Sequence, residues 1–239
     1  MKKIFFFGFL FFSVCSNIFA FSDVSYVDDR YNAISYLSSP YFNIFDASQD
    51  NFRIDSTLTR AEFLTVMIRF YNFGSWDLNI DQSKIDEILT DKCTDTKTTE
   101  WYSKYMAFAI YKGMIGGYPD KTCKPNNQIN TAEAAKIIYS TFDFKRGIDI
   151  TEFEGSNWYD EYLNSFNEYG IVGTDEILNP DDAITRGNFA LMISQAIQAF
   201  GLDESSINAA TKTTNWENLE DRTWLDYAEK YGVVNPYQL

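Results

Sequence analysis

No histidine occurs among the 239 residues, and that absence removes Ser-His-Asp and Cys-His catalysis together with every histidine-based metal site. Basic residues are scarce as well, 20 Lys and Arg against 34 Asp and Glu, for a formal net charge of −14. A nucleic-acid binder needs a basic face for the phosphates, and an anionic membrane surface attracts the same kind of patch. Both are disfavoured. Cysteine is limited to three residues. Long apolar runs are limited to one stretch of eleven residues, Ile4 to Val14, shorter than a comfortable membrane span. What the chain has in quantity is apolar and aromatic side chains: 45% apolar, with 21 Phe, 16 Tyr and 5 Trp. That composition is ample for a packed core and excludes wholesale disorder.

The first twenty residues read as an export address. Lys2 and Lys3 precede the apolar stretch, and the polar break Ser16-Asn17 leads to Ala20 as the cleavage position. A retained N-terminal anchor is the alternative, since Ile18 is an imperfect −3 residue. A lipoprotein reading of Cys15 is the weaker alternative, since Val14 stands where a small residue belongs. Loss of residues 1–20 takes Lys2 and Lys3 and leaves 18 basic against 34 acidic side chains. It also leaves Cys93 and Cys123 as an even pair in an oxidising compartment, either bridged or as two buried thiols.

Three segments share one order of signals. The middle copy reads Cys93-Thr94-Asp95, Trp101-Tyr102-Ser103-Lys104-Tyr105, Gly113-Met114-Ile115-Gly116-Gly117-Tyr118-Pro119-Asp120, Lys124-Pro125 and Ile129-Asn130-Thr131-Ala132-Glu133. The third repeats Trp158-Tyr159, Gly170-Ile171-Val172-Gly173, Asn179-Pro180 and Ile184-Thr185-Arg186-Gly187-Asn188. The first opens at Phe21-Ser22-Asp23-Val24 and ends Leu58-Thr59-Arg60-Ala61-Glu62, with its middle eroded. Each copy thus predicts a second helix with a marked start, and copies two and three a first helix stopped by Gly113 and Gly170. Thr59 with Glu62 forms a capping box flanked by Leu58 and Phe63; Asn130 with Glu133, and Thr185 with Asn188, fill the same places. Apolar residues Phe63, Val66, Met67 and Phe70, and Phe189, Met192, Ile193 and Ile197, recur at helical spacing, so these second helices are expected to be buried.

The ordered set of Asp-containing opening, Trp-Tyr-x-x-Tyr, glycine turn, x-Pro step and Thr-Arg-Ala-Glu resembles the S-layer homology (SLH) repeat, in three tandem copies from about Phe21 to Phe200. The resemblance implies an all-α, mostly helical fold, with three helix-loop-helix repeats in a pseudo-threefold prism around a central three-helix bundle. The organisation expected is a signal peptide at 1–20, repeats at 21–74, 93–146 and 150–200, an insert or linker at 75–92, and a C-terminal helical half-repeat at 201–239. Trp224-Leu225 and Gly232 suggest that last segment as a cover for the array's end.

The resemblance further implies a secreted, non-catalytic protein of the cell envelope that binds cell-wall glycan non-covalently in the grooves between repeats, without metal or cofactor. The glycan is an anionic, for instance pyruvylated, polysaccharide in some relatives. The motif arginine, expected to meet the anionic substituent, falls on Arg60 and Arg186, beside the cap residues Thr59, Thr185 and Glu62. A guanidinium can hold a carboxylate through two parallel hydrogen bonds next to a helix N-terminus. A solvated helix-start salt bridge is the alternative for both arginines. Thr131 stands where the middle copy would carry its arginine, so that groove is expected to bind anions weakly. Trp101, Trp158 and Tyr118 are candidate sugar-stacking surfaces, with core or turn packing the preferred reading; Asp120 belongs to the same turn as Tyr118. Cys93 and Cys123 occupy positions where repeats of this family carry Phe, which suggests that a packing contact has been replaced by a disulfide.

Tyr118 to Lys121 and Asp181-Asp182 lack the ligand spacing of a calcium loop and read as turns. Asp28-Asp29 and Asp149/Glu152/Glu154 read as surface rather than as a glycosidase pair. The functional alternative that keeps the fold is an envelope adaptor that binds another exported protein. A wall-glycan enzyme would need a nucleophile constellation that the sequence does not show. The oligomeric state is left open.

Overall fold

A computed structural model describes residues 21–39, 42, 44–71, 78, 80–142, 156–171 and 179–199. The export segment, Gly173 and the C-terminal half-repeat expected at 201–239 lie outside the described residues. Seven α-helices occupy the described part: α1 (Tyr31–Leu37), α2 (Arg60–Tyr71), α3 (Gln82–Lys92), α4 (Ser103–Tyr111), α5 (Thr131–Phe142), α6 (Asp160–Tyr169) and α7 (Arg186–Ala199). The fold is mostly helical, as the sequence predicts. Among the described residues the only extended pairing is three single antiparallel bridges, Thr57 with Thr185, Thr59 with Gln128 and Asn130 with Ala183.

Those bridges surround a closed cycle of hydrogen bonds. Leu58 N–H donates to Ile184 O (3.1 Å), Ile184 N–H to Ile129 O (3.0 Å), and Ile129 N–H to Leu58 O (3.0 Å). All three residues are buried; Leu58, Ile184 and Ile129 immediately precede the caps of α2, α7 and α5, respectively. The next amides along the chain continue the exchange. The first amides of a helix have no partner within it. Here Arg60 and Ala61 of α2 donate to Asn127 O and Pro125 O. Thr131 and Ala132 of α5 donate to Asp182 O and Pro180 O, and Arg186 and Gly187 of α7 donate to Ser56 O and Ile54 O, all at 2.8–3.0 Å. We refer to residues 21–71, 93–142 and 156–199 as units 1, 2 and 3. The loop of unit 2 caps unit 1, that of unit 3 caps unit 2, and that of unit 1 caps unit 3.

Helix packing repeats this order. α4 packs on α2, α6 on α5 and α1 on α7, so each first helix lies against the second helix of the preceding unit. The second helices are buried as predicted, with Phe63 on Phe189 (ring centroids 4.4 Å) and Phe70 stacked on Phe142 (5.0 Å). Gly187 stands where α2 and α5 have Ala61 and Ala132, because a Cβ there would come within 2.6 Å of Ile54 and 2.9 Å of Arg30 from unit 1. Gly113 and Gly170 end α4 and α6 in the left-handed region (φ 71° and 65°). Met114 N–H reaches Ala109 O and Ile171 N–H reaches Phe166 O, which closes the last turns. The predicted caps are present. Thr59 Oγ1 accepts from Glu62 N–H (3.2 Å) while Thr59 N–H donates to Glu62 Oε2 (2.9 Å). Asn130 Oδ1 accepts from Glu133 N–H (2.8 Å), and Thr185 Oγ1 accepts from Asn188 N–H (3.2 Å).

The segment read as an insert at 75–92 contains α3, which packs on α4 through buried Ile85 and Leu89 and ends at Cys93. Cys93 and Cys123 form a disulfide, with Cα atoms 5.1 Å apart. In unit 1 the corresponding residues Phe21 and Phe52 are in ring contact, centroids 5.1 Å apart. The bridge therefore occupies the place of an aromatic pair. The eroded first copy also keeps the anchor beside that pair. Asp23 accepts from Phe52 N–H (2.7 Å) and Arg53 N–H (2.6 Å), and Asp95 accepts from Cys123 N–H (2.7 Å) and Lys124 N–H (2.8 Å). In both units the second donor has positive φ, Arg53 at 60° and Lys124 at 48°. One carboxylate thus sets the turn that delivers each loop to its neighbour's helix.

Replacing Asp95 by Ala leaves two amides without their charged acceptor and is expected to destabilise the protein by about 2–3 kcal/mol in denaturant unfolding. A cost below about 0.5 kcal/mol would contradict the anchor role. Replacing both Cys93 and Cys123 by Ser removes the closure of the loop between them and should cost about 3–4 kcal/mol on the loop-entropy model. Equal unfolding midpoints for the variant and the oxidised protein would contradict it.

Candidate glycan-binding grooves

The cyclic order places the N-terminus of each second helix against the next unit's loop, and two such junctions open into cavities. The first, about 460 Å³, is lined by Arg60 of unit 1, the Met114–Pro119 turn with Glu133 and Lys136 of unit 2, and Trp158 of unit 3. Arg60 is almost fully buried, its side chain 8% exposed, and lies 3.5 Å from Glu133 Oε1. Its guanidinium sits 5.2 Å from the centre of the Tyr118 ring, and its buried Nε–H has no hydrogen-bond partner among the described residues. The Tyr118 hydroxyl donates to Glu133 Oε1. Lys124 Nζ covers the Tyr118 ring at 3.9 Å. Burial first, and then the Glu133 carboxylate, push the Tyr118 phenol up to about 12. Gly117 must be glycine, since a Cβ would come within 2.7 Å of Lys92 O at the end of α3.

The second cavity, about 530 Å³, is lined by Arg186 of unit 3 and by Phe21, Phe45, Asp46, Asp50, Asn51 and Arg53 of unit 1, among others. Arg186 Nε donates to Phe52 O at 2.7 Å, and the guanidinium lies 4.8 Å from the Phe52 ring centre and 5.7 Å from that of Phe45. Burial, aided by Arg53 nearby, lowers the Arg186 pKa. Asp46 turns its carboxylate to Ser48 N–H (2.9 Å). At the third junction Thr131 donates its hydroxyl to Asp182 O (3.1 Å) and offers no cation.

Arg60 and Arg186 thus each border a cavity. The solvated salt bridge does not describe Arg60, which is buried and pairs with the half-buried Glu133 of unit 2, nor Arg186, which has no carboxylate in ion-pairing range among the described residues. Thr59, Thr185 and Glu62 are engaged in helix caps. Asp120 is exposed and accepts from the amide and hydroxyl of Thr122 (3.0 and 2.6 Å), which lowers its pKa; it does not line either cavity. Of the preferred core or turn packing, the tryptophans show the turn form, against the rings of Tyr102 and of Tyr159 and Tyr162. Trp101 and Trp158 are 58% and 56% exposed, because the following residues, Tyr102 and Tyr159, are the ones that enter the helix start. Trp158 borders the first cavity and Trp101 borders neither. Tyr118 is half-buried in the turn, as preferred, and yet lines the first cavity. Sequence reasoning missed Glu133 and Lys136 as cavity residues. Glu133 was assigned to its cap, and no local motif reveals that its other oxygen reaches unit 1.

Residues 94–135, the greater part of unit 2, match the S-layer homology domain. The chain is 26% identical over 187 residues to the middle cell wall protein of Brevibacillus brevis, covering 75% of this chain and 16% of that protein. It is 26% identical over 183 residues to the surface-layer 125 kDa protein of Lysinibacillus sphaericus, 72% of this chain and 14% of that one. With the cellulosome-anchoring protein of Acetivibrio thermocellus it shares 36% identity over 109 residues, 44% of this chain and 22% of that protein. The chain therefore spans less than a quarter of the length of these relatives. The fold and these similarities define a secreted, cell-surface protein. Within that class, residues 94–135 carry the match to the S-layer homology domain.

Because the folded phenol of Tyr118 is raised above its ordinary value of 10, the folded state holds a proton that the unfolded state has lost between pH 10 and about 12. Stability should fall as pH rises through that window, and Tyr118→Phe should flatten the slope. Unfolding at pH 9, 10 and 11 checks this; identical slopes for both proteins would contradict it.

Proposed function

We propose that this protein anchors itself to the cell surface by binding cell-wall polysaccharide non-covalently in grooves between three SLH units, and that it does so without catalysis. The observation that carries the reading is the placement of Arg60, buried, and Arg186, half-buried, at two inter-unit cavities, each beside aromatic side chains. An arginine held in place by its neighbours loses little side-chain entropy when a ligand arrives, and its planar fork matches a carboxylate. The tandem triad and its prism are the family arrangement that the cyclic hydrogen bonds support. The anchoring named in one relative, and the wall and surface-layer location named in others, agree with the reading. On this account Thr59, Thr185 and Glu62 hold the helix starts that carry the arginines, rather than touching ligand.

Co-sedimentation with purified sacculi from the host tests the proposal. The folded protein should bind saturably, and Arg60→Ala with Arg186→Ala together should weaken binding by at least about tenfold, with circular dichroism unchanged. Equal pelleting would remove the arginines from the site. No binding by the folded wild type would reject the wall-binding reading in favour of an exported protein partner.

A further inference from the structure

We infer that the Cys93–Cys123 bridge is an oxidation-set latch on the junction between units 1 and 2. In the dithiol chain the start of α2 lacks its cap, and formation of the bridge closes that junction. Cys93 follows the last turn of α3, its N–H donating to Leu89 O (2.8 Å), and opens unit 2. Cys123 begins the loop that reaches unit 1: Pro125 O and Asn127 O receive the Ala61 and Arg60 amides (2.9 and 2.8 Å). The turn just before Cys123 carries Tyr118, whose ring lies 5.2 Å from the Arg60 guanidinium. Three ties hold this loop to the opening of unit 2. Thr94 donates its N–H and its hydroxyl to Lys121 O (2.8 and 2.9 Å), Asp95 accepts from Cys123 and Lys124, and the disulfide joins the two segments. Only the disulfide depends on redox state.

Unit 1 shows what the bridge replaces. Its loop caps α7 through Ile54 O and Ser56 O, which follow Phe52 at the same spacing as Pro125 and Asn127 follow Cys123. That loop is held by the Phe21–Phe52 ring contact, which needs no oxidant. Two thiols in the place of two aromatic rings supply neither the contact area nor a tether, so the reduced loop lacks the support its counterpart has. A cell-surface protein is made where thiols are kept reduced and works where disulfides persist. Thiol–disulfide exchange with an oxidised dithiol oxidoreductase balances the change. One cysteine thiolate attacks the oxidant's disulfide and releases one oxidant thiolate. The second cysteine thiolate then attacks the mixed disulfide and releases the other, and the two released thiolates take up the two protons that the cysteines lost. Once closed, the bridge is out of reach of external thiols, with Cys93 2% and Cys123 0% exposed, so the latch is set as the exported chain folds.

Hydrogen exchange on the exported protein tests this in two forms, the disulfide form and a dithiol form refolded from denaturant with reductant present. The Arg186 and Gly187 amides, capped by the loop beside the aromatic pair, serve as the internal control. In the dithiol form Arg60 and Ala61 should exchange at least about tenfold faster than in the disulfide form, while Arg186 and Gly187 stay within about twofold. Oxidised glutathione should restore protection of Arg60 and Ala61. Cys93→Ser with Cys123→Ser should keep the dithiol pattern even with oxidised glutathione present. Equal protection of Arg60 and Ala61 in the two forms would overturn the inference. So would equal acceleration at all four amides, a dithiol chain that does not fold included, because the bridge would then serve the whole molecule rather than this junction. The rates report on the junction itself, whether or not the groove binds wall polymer.

Discussion

Three hydrogen bonds, from Leu58 to Ile184, Ile184 to Ile129 and Ile129 to Leu58, close a cycle on which the rest of the molecule depends. Each joins residues far apart in the chain. Each places a helix start where its first two amides can find only the neighbouring unit's carbonyls. A buried amide left without a partner costs about 1–3 kcal/mol, so the three amides of the cycle and the six helix-start amides donated across unit boundaries make the arrangement cooperative. A unit without its neighbours would expose those donors as well as the apolar face of its second helix.

The cycle also explains where the grooves are. A loop that must reach the preceding helix start carries its own side chains there, so Arg60 meets Tyr118 and Arg186 meets Phe52 and Arg53. The anchors behind those loops are Asp23 and Asp95, and beside them the aromatic pair Phe21–Phe52 and the disulfide Cys93–Cys123 fill equivalent places. Site geometry thus descends from backbone satisfaction. The three junctions are alike in backbone and unlike in side chains. Glu133 neutralises one arginine, Thr131 replaces another, and Arg186 is tied to Phe52 O.

Local signals made much of the fold legible. The capping boxes, the glycine stops and the helical spacing around Phe63 and Phe189 each follow from interactions within a few residues, and all appear as expected. The paired replacement of Phe by Cys93 and Cys123 could be read because it broke a repeated pattern. What could not be read is what arises between units. The exposure of Trp158 and the reach of Glu133 to Arg60 depend on the cyclic handover, and no window of neighbouring residues encodes it. α3 escaped for a related reason. It lies outside the repeating pattern, and only its packing through Ile85 and Leu89 on α4 gives it a place.

Native-state hydrogen exchange at the amides of Leu58, Ile129 and Ile184 tests the central claim most directly. If the cycle is a single cooperative element, the three should exchange only through global unfolding, with opening free energies equal to within about 0.5 kcal/mol and falling in parallel as denaturant is added. Exchange of any one of them through a separate, low-energy opening, while the other two stay protected, would contradict the account.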